Sequence, residues 1–251
     1  MPFFRPRDLL LVNSSPNAPT NPMHGESPQP AGNAPRESRG AKRKRATREK
    51  LVEAAFRLMA EHGMDAVAIN QITEAADVGF GSFYNHFESK EAIYAAVNEQ
   101  VFEEFADMLD RLAQDVDDPA EVVAASIRLA VLRARHEPLW GRFLLREGVS
   151  LRTLSHGLGV RLLRDIQRGV DNGRFQLVDP LMSFVMAGAG VLGAVAIEVD
   201  PDAARSPQAA QFGLDAENVP ERIAAIALYN LGLPIDEARQ IAQRPLPVMK
   251  G

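Results

Sequence analysis

Residues 69–87 read INQITEAADVGFGSFYNHF, and this stretch decides the fold. Ile69, Ile72 and Ala76 recur at helical spacing, a turn falls over 77–79, and Phe83 and Phe87 repeat four apart in a second segment. Two helices of about eight residues across a tight turn describe a helix-turn-helix. That geometry makes physical demands. The first helix must pack closely on the second, so Ile72 and Ala76 face inward. The turn needs a residue that accepts left-handed dihedrals, and Asp77 is one of the few non-glycine types that does. Val78 fills the space between the helices. The second helix then exposes Phe80, Ser82, Tyr84 and Asn85, while Phe83 and Phe87 anchor it from behind.

Upstream, Leu51, Ala55, Leu58 and Met59 form a helical stripe that Gly63 closes. Downstream, Ser89 is placed to cap a long helix over 90–113. The segment just before the stripe is unlike the rest of the chain. Residues 36–50 hold 8 basic and 2 acidic side chains, in a chain of net charge −5, so the remainder carries −11. A basic patch on an acidic body gives one surface to a polyanion and another to something else. Residues 1–35 contain 8 of the 17 prolines without periodicity and read as disordered, and no proline occurs over 36–118.

The run from Lys50 to Tyr94 resembles the DNA-binding domain of TetR-family transcriptional repressors. The pieces that carry the resemblance are EKLVEAAFRLMAEHG, INQITEAADVGFGSFYNHF and ESKEAIY, in order and at matching spacing. Asp77, Thr73, Gly79 and Ala68 depart from the usual pattern, and Ala68 costs the second helix a side-chain cap. The resemblance implies three domains: a Pro-rich and basic disordered arm over 1–44, a helix-turn-helix over 45–93, and an effector-binding and dimerisation domain over 94–251. It assigns phosphate contacts to Thr47, Tyr84, His86 and Lys90. It aims Asn70, Phe80, Gly81, Ser82 and Asn85 at base edges or sugar; Phe80 is unusual at such a position, and its ring suits contact with a thymine methyl. Arg43 and Arg45, in the run 42–45, would follow phosphates or the minor groove as part of a flexible arm.

Beyond Tyr94 the pattern stays helical, with segments over 119–136, 139–146, 151–172, 181–199, 217–231 and 236–243. Alternating β-branched runs are lacking, so the chain is read as all-α. The resemblance implies a homodimer through the last two long helices, with Gly188, Val191, Leu192, Val195, Ile223 and Ile226 at the contact. It also implies an effector pocket, with Phe105, Met108, Leu112, Trp140, Phe143, Leu144, Leu162, Ile166 and Met186 as its lining. Their apolar bias points to a small hydrophobic molecule.

The 17 uncharged residues over 181–197 reach only the lower limit of a membrane span and have acidic flanks. They are read as a helix buried between protein surfaces, with no membrane partner. The GAGVLG at 188–193 satisfies a dinucleotide fingerprint by letter but lacks its preceding strand. With no cysteine there is no disulfide framework, and the cytoplasm is the natural compartment. The five His make no di-iron spacing, and GxSxG, P-loop and HExxH motifs are missing. No cofactor, no metal and no enzymatic activity are therefore expected. The function implied is a sequence-specific regulator, a repressor released from a palindromic operator in double-stranded DNA by a hydrophobic ligand. The alternatives are a non-specific architectural DNA binder and a helical-bundle enzyme.

Overall fold

The computed structural model describes residues 38–148, 157–200 and 217–247, with 202 and 211 between the last two segments. The disorder expected for residues 1–35 and the first turn of the helix expected over 151–172 lie outside them. Every regular element among the described residues is helical. The order is α1 (Arg39–His62), α2 (Ile69–Ala75), α3 (Phe80–Phe83), α4 (Lys90–Asn98), a π-helical turn (Glu99–Glu103), α5 (Glu104–Ala113), α6 (Pro119–His136), α7 (Pro138–Glu147), α8 (Gly157–Asp171), α9 (Pro180–Val199), α10 (Val219–Asn230) and α11 (Ile235–Ala242).

Local chemistry places the ends. Ser38, Ser89, Asp118 and Asp179 each accept a backbone N–H from the first turn of the helix they precede, which satisfies a donor that would otherwise lack a partner. Pro119, Pro138 and Pro180 occupy the first helical position, where their missing N–H costs nothing.

Three expectations change. Helix α1 begins at Arg39, so residues 39–44 are helix and not a disordered arm. Ala, Lys and Arg are strong helix formers, and Ser38 caps them. Helix α3 has four residues where about eight fit the motif in general. Its start, Gly79, offers no side-chain cap, and after Phe83 the chain tightens into turn bonds from Asn85 N–H to Ser82 O (3.3 Å) and His86 N–H to Phe83 O (2.9 Å). The single helix expected over 90–113 is interrupted at 99–103 by the π-helical turn. The Trp140 indole N–H reaches into that turn and bonds the Val101 carbonyl at 3.2 Å.

Among the described residues the apolar side chains form two cores. The first runs from Leu51, Ile72 and Phe83 through Ile93 and Phe102 to Trp140, Phe143 and Val195. It crosses the expected domain boundary at 93/94 without a break, so the reading unit packs directly onto the body. The Phe56 and Phe143 rings meet edge to face at 5.5 Å across that junction. The second core gathers Ala124 of α6, Ile166 of α8, Ala187 of α9, Ala224 and Leu228 of α10 and Ile241 of α11, with Phe175 from the α8–α9 connection. No buried side-chain nitrogen or oxygen among the described residues lacks a partner.

Candidate nucleic-acid interface and ligand cavity

The turn between α2 and α3 forms as the sequence requires. Asp77 has φ 55°, and its N–H and that of Val78 return to Glu74 O (3.1 Å) and Thr73 O (3.0 Å). Thr73 is buried, and its hydroxyl donates to Asn70 O at 2.9 Å, so the departure from alanine leaves nothing unsatisfied. Ala68 provides no side-chain cap, but Gln71 Oε1 accepts the Ala68 N–H at 2.8 Å. Ile72 and Phe83 are fully buried between the helices.

The outward face of this unit carries exposed Asn70, Phe80, Gly81, Tyr84 and Asn85, with Ser82 and His86 half-buried beside them. Phe80 and Tyr84 are 54% and 52% exposed, an arrangement that costs apolar hydration and is unusual for large rings without a partner. Basic side chains of α1 flank the face. Arg48 sits over the Phe87 ring at 5.1 Å. Burial lowers the His86 pKa from its ordinary value, and the positive charges of Lys44 and Arg48 lower it further. His86, Lys44 and Arg48 are therefore neighbours in space. Sequence reasoning passed over Arg48, although it lies four residues beyond Lys44 on the same helix face.

Two expected phosphate contacts are otherwise engaged. The Lys90 ammonium donates to the carbonyls of Met64 (2.9 Å), Asp65 (3.3 Å) and Val67 (3.1 Å). An ammonium has three donors, and in this structure all three of those of Lys90 clamp the α1–α2 loop. Thr47 lies in the third turn of α1, not at its start, and its hydroxyl donates to Arg43 O at 3.1 Å.

Below the reading unit, a cleft of about 1680 Å³ opens between α4, α6, α8 and α9 and the ends of α1 and α7. Of the nine residues expected to line a pocket, Leu144 and Leu162 do so. Phe105, Met108, Leu112, Trp140, Phe143 and Ile166 are core residues instead, and Met186 points outward at 62% exposure. Phe105 and Trp140 meet edge to face at 5.2 Å, and Arg133 lies 4.9 Å over the Phe105 ring and 4.8 Å over the Trp140 ring. Such a filled cluster leaves no room for a ligand.

The cleft has two kinds of lining. Phe102, Leu162, Phe184 and Val191 supply apolar surface. Polar lining comes from Tyr94, Asn98 and Glu99, and from Arg161, which contacts Glu103 (2.9 Å), Asp107 (3.0 Å) and Asp110 (3.0 Å). Burial works against ionisation of Asp110, but hydrogen bonds from Arg164 and Arg161 outweigh it and hold its carboxyl below the usual range. Asp165 behaves oppositely: its burial outweighs the Arg164 hydrogen bond and raises its pKa. Tyr94 donates its hydroxyl to the Glu147 carboxylate at the edge of the cleft.

Helix α9 is not buried on all sides. Met182, Met186, Ala189, Gly193 and Ala196 form an exposed stripe at heptad spacing, and Ile226 and Tyr229 are exposed on the neighbouring α10. By length and composition α9 is long and apolar enough to cross a membrane, the one such helix among the described residues. Of the residues expected at a dimer contact, Ile226 lies on this outer face. Val195 is fully buried in the core, Gly188, Val191 and Leu192 line the cleft, and Ile223 packs inward. A Cβ on Gly190 would stand 2.8 Å from Ile223 Cδ1, so that glycine serves the α9–α10 contact within the chain.

Residues 51–97 match the family described as bacterial regulatory proteins, tetR family, and residues 118–244 match the tetracyclin repressor-like C-terminal domain. The structure of RolR in complex with resorcinol superposes with a TM-score of 0.59 at 35% identity, covering 84% of this chain and 100% of that one. The HTH-type transcriptional repressor DhaR of Mycobacterium sp. (strain GP1) is 39% identical over 72 residues, 29% of this chain and 36% of DhaR. The transcriptional regulator AcuR of Cereibacter sphaeroides is 25% identical over 195 residues, 78% of this chain and 81% of AcuR. With both halves matched in order and the reading turn formed at Asp77, the chain belongs to the tetR family of bacterial regulatory proteins and is a helix-turn-helix DNA-binding regulator.

Proposed function

We propose that the protein is a repressor that binds a palindromic operator as a two-fold dimer and leaves it when a small molecule fills the cleft. The observation that carries the reading is the exposed face of Phe80, Tyr84 and Asn85 set against the basic α1 residues Lys44 and Arg48. Side chains without charge stand where bases are read, and cations stand where phosphates run. A recognition helix of four residues reads few base pairs, so a second copy is required for specificity.

The exposed stripe on α9 with Ile226 and Tyr229 of α10 is the surface we assign to that second copy, by an isologous contact. The DNA contacts assigned are Arg43, Arg45, Asn70, Phe80, Gly81, Ser82, Tyr84, Asn85 and His86, with Lys44 and Arg48 added. The protein acts where its DNA is, in the cytoplasm, as a regulator and not as a catalyst.

The ligand reading is amended by the cleft. A lining that combines apolar side chains with Tyr94, Asn98 and carboxylates suits an aromatic ring bearing hydroxyl groups better than a plain hydrocarbon. The RolR structure holds resorcinol, which is such a molecule and the first probe to use. The test is a selection on random DNA with the full chain, then footprinting, then operator titration with and without resorcinol. A short protected palindrome released by the ligand supports the proposal. Uniform protection identifies an architectural binder, and ligand binding with unchanged operator affinity removes the release step.

A further inference from the structure

The recognition segment from Phe80 to Asn85 carries no charged side chain, yet it presents two large rings to solvent. Among the described residues, the other exposed large apolar side chains are Leu163, Val178, the cleft residues Leu181 and Val185, and those of the α9–α10 face. Phe80 is not a loose ring. It meets Tyr84 edge to face at 5.7 Å, Tyr84 meets Phe83 at 5.3 Å, and the fully buried Phe83 lies 5.8 Å from Phe87. A ladder of aromatic contacts therefore runs from the core to the tip and fixes Phe80 at the first position of the reading helix. A Cβ on neighbouring Gly81 would meet nothing within 4 Å, so the surface beside the ring is open to a base edge.

A phenyl ring has no donor or acceptor. In the major groove it discriminates through apolar contact alone, and the one apolar group that base pairs offer there is the thymine 5-methyl. We propose that Phe80 is a specificity-determining residue that reads thymine through this methyl group, with Tyr84 bracing the ring. The proposal rests on the operator-binding reading above and adds the chemistry of what is read.

The experiment replaces thymine by uracil in the operator recovered by selection, one symmetric pair at a time. This removes the methyl and leaves pairing and O4 unchanged. Titrations use the full chain, Phe80→Ala and Phe80→Leu. One methyl buried against the ring is worth about fourfold in affinity, so a symmetric pair of replacements should weaken binding by about 15-fold. Phe80→Ala should bind the thymine and uracil operators equally, and Phe80→Leu should retain part of the difference. A clear operator whose thymines all tolerate uracil overturns the proposal alone, as does a uracil penalty that persists undiminished in Phe80→Ala. A selection that returns no preferred sequence overturns the operator-binding reading and this proposal with it.

Discussion

Arg146 on α7 donates from Nε to the carbonyl of Ala60 at 2.9 Å, and from Nη2 to the next carbonyl, Glu61, at 2.6 Å. These carbonyls end α1 and have no helical acceptor role left to fill. The cation also opposes the negative end of the helix dipole. Arg146 and its neighbour Glu147 both border the cleft, and Glu147 holds Tyr94 of α4. One turn of α7 thus grips both helices that carry the reading unit. Arg146→Ala should lower stability by about 1–2 kcal/mol, the usual worth of lost charge-assisted bonds. Denaturant melts would measure it, and hydrogen exchange should rise first at the end of α1.

Lys90→Ala separates a structural clamp from a phosphate contact. With three carbonyls released from its ammonium, the α1–α2 loop loosens and operator binding should weaken for every sequence. The salt dependence should not change. A lost phosphate contact would instead reduce the log–log slope by about 0.9. Titrations at several salt concentrations decide between them.

Asp77 sits at φ 55°. Asp77→Gly should leave stability within about 0.5 kcal/mol, because relief of the left-handed strain offsets the added freedom of the unfolded chain. Asp77→Val should cost about 1–2 kcal/mol, since β-branching is poorly accommodated there. Equilibrium unfolding of the two variants would check the ordering.

Met186→Glu and Ile226→Glu place a charge on the exposed α9–α10 face, where Met186 and Ile226 are 62% and 55% exposed. Neither should disturb the fold of one chain, because neither side chain is in a core. Both should shift sedimentation from dimer to monomer and reduce operator affinity steeply, since two half-sites are no longer bound together. A variant that remains dimeric moves the contact elsewhere.

His86 has a folded pKa below its ordinary value, through burial first and then through Lys44 and Arg48. A depressed folded value means that the unfolded chain takes up the proton first. The associated stability is present above about pH 6.5, the unfolded value, and is lost as pH falls through the folded value. His86→Gln should flatten that part of the acid-side decline in melting temperature. An unchanged pH profile would remove His86 from the account.

The sequence by itself determined the reading unit, because a helix-turn-helix is local. Ile72, Asp77, Val78 and Phe83 lie within a dozen positions, and each type answers a steric demand made by its immediate neighbours. The helical class and most helix ends were legible for the same reason: caps, prolines and glycines act on the turn that contains them. Tertiary structure alone decided what each face meets. Periodicity puts Phe105, Trp140 and Leu162 on apolar faces, but the first two fill a core with Arg133 above them while Leu162 lines a cleft. Val195 and Met186 share one apolar helix, yet one is sealed inside and the other faces solvent. Lys90 reads as a cation free to meet phosphate until the chain brings three carbonyls from 23 to 26 residues away to its ammonium. A residue's type and spacing fix what it can bind, and only long-range packing fixes which partner reaches it first.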